Sequence, residues 1–186
     1  MSIARITDAV EERMMKVIDA MEGDFAAVRT GKASPALVEN IMVEYYGTPT
    51  RMKELAGITT PEARLLVIQP WDPSSLAAVE KAIIAANIGI SPVNDGRVIR
   101  LPIPELSAER RASLTKQVKA RAEEAKVAVR NVRRDGNEEA KTAKKNSDIT
   151  EDELKKMLDD IQKTTDGYIK QIDDLLAKKE KELMTV

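Results

Sequence analysis

A long helix carries the basic charge of this chain and decides its fold. Its main part, residues 118–145, reads VKARAEEAKVAVRNVRRDGNEEAKTAKK. Small and apolar residues recur there every three or four positions, the period of a helix face that packs inward: Val118, Ala122, Ala125, Val129, Val132, Gly136, Ala140 and Ala143. A second, basic stripe runs one position later, about 100° around the helix: Lys119, Lys126, Arg130, Arg133, Lys141 and Lys144. The pattern predicts a helix with a straight basic edge beside its packed face.

The basic edge has the charge expected of a phosphate-binding surface. Residues 105–145 contain 12 Lys and Arg against 7 Asp and Glu, whereas the whole chain has a formal net charge of −1. Arg130, Arg133 and Arg134 have only Asp135 as an adjacent counter-charge, and guanidinium groups suit planar contacts to phosphates and bases. The alternative is a plain solvated face, because the acidic residues at 123, 124, 138 and 139 are spaced to pair with these cations.

Two further helices are predicted at the two ends of the chain. The first ends at Thr30-Gly31, since Gly suits the left-handed turn after a helix. Its apolar stripe is Ile3, Ile6, Val10, Met14, Val17, Met21, Phe25 and Val28. The last helix opens with a capping box at Thr150 and Glu153. Its apolar seam, with one polar member, is Leu154, Leu158, Ile161, Thr165, Tyr168, Ile172 and Leu175.

The long helix is predicted to run from about Ser107 to Lys145. It forms one domain with these two helices. Short turns between long amphipathic helices favour antiparallel packing. We therefore predict an elongated antiparallel three-helix bundle made of residues 1–30 and 106–186.

Residues 31–105 predict a small α/β domain inserted between the first two helices of the bundle. Apolar and β-branched runs indicate strands at 41–46, 64–69 and 98–101, with a further strand running to Leu55 after the turn at Gly47-Thr-Pro49. A short amphipathic helix is predicted over 74–87. Its inward residues are Leu76, Val79, Ile83 and Ile84. The predicted fold class is α+β.

The two connections between these domains are short and restricted, which predicts a hinge. They span 31–35 and 102–105, and the residues assigned to the hinge are Gly31, Lys32, Ala33, Pro35, Pro102 and Pro104. Gly permits backbone conformations closed to other residues, and Pro fixes φ. Two such connections between bodies with separate cores allow bending over a limited range.

Composition excludes several kinds of site. The chain has no Cys and no His, which rules out disulfides, thiolate ligands, and the commonest general base and metal ligand. Gly31-Lys32 lacks the rest of a phosphate-binding loop, and the carboxylates of the insert lack metal-ligand spacing. We therefore expect no metal, no cofactor and no enzymatic activity. No run is apolar enough to cross a membrane and the start lacks a secretory pattern, so we expect a cytoplasmic protein.

Five motifs, in order along the whole chain, resemble the bacterial ribosome recycling factor family. They are Arg29-Thr-Gly-Lys-Ala-Ser-Pro35, Val43-Glu-Tyr-Tyr-Gly-Thr-Pro49, Ala78-Val-Glu-Lys-Ala-Ile83, Leu106-Ser-Ala-Glu-Arg-Arg111 and Ala128-Val-Arg-Asn-Val-Arg-Arg-Asp135. The resemblance implies an L-shaped molecule in which flexible linkers join a three-helix bundle to a smaller α/β domain.

The resemblance also implies a function and partners. It implies disassembly of the post-termination ribosome with elongation factor G and GTP, so that the subunits separate and mRNA and tRNA are released. The implied binding surface is ribosomal RNA of the large subunit at the subunit interface, and we expect a monomer. The RNA-contacting arginines of the family correspond to Arg29, Arg130 and Arg133. With the neighbouring basic residues, the predicted RNA-binding set is Arg29, Lys119, Lys126, Arg130, Arg133 and Arg134.

Two residues depart from the family's pattern: Lys32 stands where many members carry Arg, and Gly136 where Ala is common. A Gly inside a helix costs about 1 kcal/mol relative to Ala, so we expect the long helix to bend or fray at Gly136. The residues alone leave two other functions open. One is an unrelated helical RNA-binding or adaptor protein, and the other is a small carboxylate-dependent enzyme with its site in the insert.

Overall fold

The computed structural model describes residues 3 to 185, which form an α+β fold as predicted. The elements in chain order are α1 (Ile3–Ala26), β1 (Met42–Tyr45), β2 (Thr48–Arg51), α2 (Met52–Leu55), β3 (Ala56–Glu62), β4 (Leu65–Pro70), α3 (Leu76–Ala85), β5 (Val93–Asn94), β6 (Ile99–Pro102), α4 (Ala108–Lys145) and α5 (Glu151–Met184). They divide into two compact units. The first comprises the chain up to Phe25 together with Ala112–Thr185, and the second comprises Ala26–Arg111.

The first unit is a bundle of α1, α4 and α5, and its cross-helix ion pairs give the helix directions. Arg13 of α1 pairs with Asp135 of α4, and Asp24 pairs with Arg121, each at 2.6 Å. Numbering thus rises along α1 as it falls along α4, so the two helices are antiparallel. Lys126–Asp173 and Lys144–Glu151 show the same relation between α4 and α5.

The predicted inward face of α4 is buried along its whole length. Each member of the small and apolar stripe is buried: Val118, Ala122, Ala125, Val129, Val132, Gly136, Ala140 and Ala143, together with Leu114. Small side chains on the middle helix let two neighbours approach closely, which explains why alanines dominate this stripe. On the flanking helices the buried residues include Ile18 and Met157, which the predicted stripes left out. The side chain of Ile3 lies outside the described residues.

The helix ends follow local hydrogen bonding where a cap is present. Ser107 Oγ accepts from the Arg110 amide at 3.1 Å, so α4 begins where predicted. The capping box of α5 is complete: Thr150 Oγ1 accepts from the Glu153 amide, and the Glu153 carboxylate accepts from the Thr150 amide. The predicted end of the first helix was wrong, because α1 stops at Ala26. Residues 29–31 instead pack within the second unit, where the Arg29 guanidinium lies against Gly89.

Gly136 is a close-packing site, and the expected fray is not observed. The α-helix α4 is continuous from Ala108 to Lys145. A Cβ added at Gly136 would lie 2.5 Å from Val10 Cγ2 of α1 and 3.5 Å from Ile161 Cδ1 of α5. The absence of a side chain at position 136 therefore lets three helices meet at one level.

Gly136→Ala is therefore expected to destabilise the bundle, although Ala is the better helix former. The added methyl forces Val10 or α1 to move, and overpacking costs typically about 1–3 kcal/mol, against a propensity gain of about 1 kcal/mol. In a Val10→Ala background the methyl group added at position 136 no longer clashes, so Gly136→Ala is expected to stabilise the bundle. Urea unfolding of the four variants measures this reversal of sign.

Gly167→Ala is the matched control for that cycle. Gly167 lies inside α5 with nothing within 4 Å of an added Cβ, so its replacement should gain helix propensity at no cost in packing. A Gly136→Ala protein stabilised as much as Gly167→Ala would contradict the packing role of Gly136.

The second unit contains two antiparallel sheets and α3. Strands β1 and β2 form a hairpin, and the other four strands are ordered β3-β4-β6-β5. Their core includes Val43, Leu66, Ile68, Val79 and Ile99. The predicted strands at 64–69 and 98–101 are present as β4 and β6.

Three details of the second unit differ from the predictions. The polar run to Leu55 contains the short strand β2 and then the helical turn α2, and β3 follows where no strand was predicted. Helix α3 starts at Leu76 because Asp72 caps a 3-10 turn over Pro73–Ser75. Ile84 is 61% exposed, because Val79 and Ile83 define the packed face and Ile84 lies about 100° away from it.

Both chain connections are fastened to one turn of the second unit. The Ala33 amide donates to Ala63 O, and the Ile103 amide donates to Arg64 O, each at 2.8 Å. Pro102 is also registered against Leu65 in the sheet. Of the predicted hinge residues, Ala33 is therefore held to this turn and Pro102 to the sheet. Lys32 and Pro104 are exposed, and Gly31 has a positive φ of 81°.

Candidate nucleic-acid interface

The candidate interface is the outer side of α4, and most of its predicted basic residues are available. Lys119, Arg130 and Arg134 are exposed and Arg133 is half-buried. Within residues 3–185, none of these four cations has a hydrogen-bond or ion-pair partner. The neighbouring alanine and valine stripe of α4 is buried and fixes the helix in the bundle. The four cations are thus presented on a rigid edge without an internal counter-ion.

The acidic neighbour of the arginine cluster is occupied from another helix. Asp135 Oδ2 accepts from Arg13 Nη2 of α1 at 2.6 Å. Since Arg13 takes the carboxylate, Asp135 is not used by Arg130, Arg133 or Arg134. An anion approaching the arginine cluster therefore does not have to displace a salt bridge.

Lys126 behaves differently from its neighbours. Its ammonium lies 2.5 Å from Asp173 of α5 and 3.5 Å from Glu123, and only 15% of its side chain is exposed. The hydrogen bond to Asp173 raises the pKa of Lys126 against the opposing effect of burial. Lys126 thus links α4 to α5. Its role in RNA binding stays a prediction, and the pairing with Asp173 argues against it.

The basic stripe is neutralised towards the end of α4. Lys141 pairs with Glu138 at 3.2 Å and Lys144 approaches Glu151 at 3.9 Å. The uncompensated charge is therefore concentrated between Lys119 and Arg134. Pairing with neighbouring carboxylates of α4, the alternative interpretation of the whole edge, is observed among residues 3–185 for Lys126 and Lys141 but not for Lys119 or the arginine cluster.

Arg29 belongs to a different part of the molecule from the α4 cations. It lies beyond the end of α1 and within the second unit. Its Nε is buried without a hydrogen-bond partner among the described residues. Its Nη1 is 3.1 Å from the position of a Cβ on Gly89, whose φ is +76°. A side chain at residue 89 would therefore press on the guanidinium.

Three further residues of the outer face were not predicted. Lys116 is exposed and unpaired within the described chain, one turn before Lys119. Val127 is 51% exposed and Asn131 is exposed; both lie at helical spacing with Arg134. The exposure of Val127 and Asn131 could have been predicted from the sequence, since positions 127, 131 and 134 lie on the side of the helix opposite the alanine stripe. An amide and an apolar side chain between arginines suit contacts to bases and riboses.

Other kinds of site receive no support among residues 3–185. No group of three or more His, Cys, Asp or Glu side chains is arranged to hold a metal ion there. No helix in this part of the chain is both long and apolar enough to cross a membrane.

Comparison with known proteins agrees with the fold and identifies the family. The sequence profile of the ribosome recycling factor family matches residues 21–184. The ribosome-recycling factor of Syntrophomonas wolfei is 56% identical over 184 residues, covering 99% of this chain and all of that protein. The Staphylococcus epidermidis protein of the same name is 52% identical over 176 residues, 95% of this chain and 96% of its own.

Solved structures give the same result. A solution structure of the ribosome recycling factor superposes with a TM-score of 0.82 at 41% identity, covering 100% of this chain and 99% of that one. A second match has a TM-score of 0.70 and 38% identity, and it covers both chains fully. It comes from models for the T. thermophilus ribosome recycling factor and the E. coli elongation factor G bound to the E. coli post-termination complex.

A helical bundle with a basic edge and a small inserted α/β unit, at this level of identity, defines a translation factor of protein biosynthesis. The chain belongs to the ribosome recycling factor family.

Proposed function

We propose that this protein binds the post-termination ribosome and, with elongation factor G and GTP, splits it into subunits so that mRNA and tRNA are released. The observation that carries the proposal is the unpaired basic edge of α4. Arg130, Arg133 and Arg134 keep their charge free because Arg13 occupies Asp135. Structured RNA is recognised largely through phosphate and shape, and a row of unpaired cations along one helix fits that chemistry.

The bound surface in this proposal is ribosomal RNA of the large subunit, at the subunit interface. Lys119, Arg130, Arg133 and Arg134 contact phosphates, and Asn131 and Val127 lie between them against bases or riboses. Arg29 contributes a contact from the second unit. One copy of the chain acts at each ribosome, in the cytoplasm.

The action we propose is mechanical and involves no covalent chemistry by this chain. The first unit anchors the protein to RNA, and the second unit receives the push of the GTP-driven partner. Ala33 and Ile103 are hydrogen-bonded to the same turn of the second unit. Force on the second unit is therefore transmitted to both chain connections through this turn. Bending is then limited to the short stretches between the end of α1 and Ala33 and between Ile103 and the start of α4.

Sedimentation of intact ribosomes tests the proposal. Purified protein with elongation factor G and GTP is expected to convert ribosomes into free subunits, while omission of either factor or of GTP leaves them intact. Binding to isolated large subunits without splitting under any condition would favour a plain RNA-binding or adaptor function. Turnover of a small molecule by the protein alone would favour a carboxylate-dependent enzyme.

A further inference from the structure

Tyr46 is an unusual residue for the turn in which it lies. Tyr45 pairs with Thr48 across the β1–β2 hairpin, which leaves Tyr46 and Gly47 as its two-residue loop. Their φ angles are 49° and 76°, and positive values at both central positions are typical of a type I′ turn, which favours Asn or Asp before Gly. A bulky residue in this conformation is strained. The hairpin therefore accepts a less stable residue in its turn, and this residue is 80% exposed.

The exposed ring is held in a defined place. Its centroid lies 4.6 Å from that of Tyr45 in an edge-to-face arrangement. Both hydroxyls point to one carboxylate oxygen: Tyr45 donates to Asp72 Oδ2 at 3.0 Å, and Tyr46 reaches the same atom at 3.5 Å. Ser74 donates to the other oxygen from its amide and its hydroxyl. The two rings and the carboxylate thus form one pre-organised cluster, named here the tyrosine–aspartate cluster (Tyr45, Tyr46 and Asp72).

The cluster has a negative charge that no cation of residues 3–185 neutralises. Asp72 has only neutral donors around it, and these hydrogen bonds, first of all those from Ser74, lower the pKa of its carboxyl group. The hydrogen bond from Tyr46 is at the limit of hydrogen-bond length, so a stronger donor can replace it. Glu44, two residues earlier on β1, is exposed and also unpaired within the described residues.

We propose that the tyrosine–aspartate cluster is a docking site for a basic segment of a protein partner, with an arginine side chain stacked on Tyr46 and paired with Asp72. A guanidinium stacks on aromatic faces and forms two parallel bonds to a carboxylate. The negative charge of Asp72 and Glu44 favours a basic peptide over nucleic acid, since these carboxylates repel phosphates. The site is separate from the basic edge of α4, which takes the opposite charge.

An NMR titration of the ¹⁵N-labelled full-length protein with the peptide Gly-Arg-Gly-Arg-Gly-Arg-Gly tests this. We expect saturable shifts of the amides of residues 45–47 and 71–74, together with a shift in the emission of Trp71, the chain's one tryptophan. Shifts confined to other surfaces, such as acidic residues of α5, would overturn the proposal. So would shifts at 45–47 produced by a single-stranded oligouridine but not by the peptide, because these would indicate base stacking.

Two substitutions separate binding from folding. Tyr46→Asn places a preferred residue in the turn, so it should raise the melting temperature while weakening peptide binding about three- to tenfold. Asp72→Asn keeps the oxygen that caps Ser74 and removes the charge, and a similar loss of affinity is expected. Unchanged affinity in either variant contradicts the docking site.

The control variants are Tyr46→Phe and Asp95→Asn. Tyr46→Phe keeps the ring and removes only the long hydrogen bond to Asp72, so peptide affinity should stay within about twofold. Asp95 accepts bonds from the Arg97 and Val98 amides in another turn of the same unit. Its substitution removes an equal charge and should leave the peptide affinity unchanged; an equal loss there would mean that the peptide senses net charge alone.

Discussion

Replacing both Arg130 and Arg133 with alanine is expected to weaken binding to the large ribosomal subunit by roughly 10²- to 10⁴-fold. Hydrogen bonds to a charged group contribute about 1.5–3 kcal/mol each, and neither guanidinium has a partner inside the described protein that would offset the loss. For the same reason the fold should be unaffected. Arg133→Ala alone is expected to cost about 1.5–3 kcal/mol of binding free energy. Filter binding or sedimentation with isolated large subunits measures both values.

The matched control is Lys156→Ala with Lys163→Ala, which removes the same charge from two exposed, unpaired positions of α5. Its affinity should remain close to wild type. The slope of log affinity against log salt should also fall for the arginine variant, by about 0.7–0.9 for each phosphate that the variant no longer neutralises. Equal affinities and equal slopes for the two double variants, with unchanged circular dichroism, would exclude the α4 edge as the RNA surface.

Lengthening both chain connections is expected to slow splitting strongly while sparing RNA binding. Insertion of Gly-Gly-Ser after Lys32 and after Glu105 leaves the hydrogen bonds of Ala33 and Ile103 to residues 63 and 64 in place. It makes the connections flexible, so a push on the second unit is absorbed before it reaches the first. We expect large-subunit affinity within about threefold, since the cations of the α4 edge are unchanged, and splitting at least tenfold slower.

The same insertion after Gly96 provides the control. Gly96 lies in an exposed turn between β5 and β6, with a φ of 91° and open space where a Cβ would lie. Loops of this kind tolerate insertion, so splitting should be retained. Full activity of the protein with both connections lengthened would mean that force does not pass through them.

Several features of the fold followed from the sequence because they are local. The buried stripe of α4 has the period of the helix itself, and every predicted member is buried. Ser107 and Thr150 begin their helices through bonds to amides three residues away. Such bonds depend on side chains that are neighbours in the chain, so a short stretch of sequence contains the information.

Elements defined by distant partners were predicted less well. Strand β3, with Pro61 near its end, became a strand through its pairing with β4. The first helix was predicted too long because residues 29–31 pack within the second unit. Gly136 was interpreted as a weak point of α4, whereas Val10, which lies far away in the chain, makes it a close-packing site.

By itself, the sequence determined the three amphipathic helices, two of their caps, the basic edge of α4 and the family resemblance. The tertiary structure decided which basic residues of that edge are free. Lys126 and Arg133 occupy equivalent positions on one helical face. Lys126 is paired with Asp173 of α5, whereas Arg133 is unpaired within the described residues because its acidic neighbour Asp135 is paired with Arg13 of α1. Charge pairing between helices depends on partners as many as 122 residues apart, and only packing of the bundle brings those side chains within reach of each other.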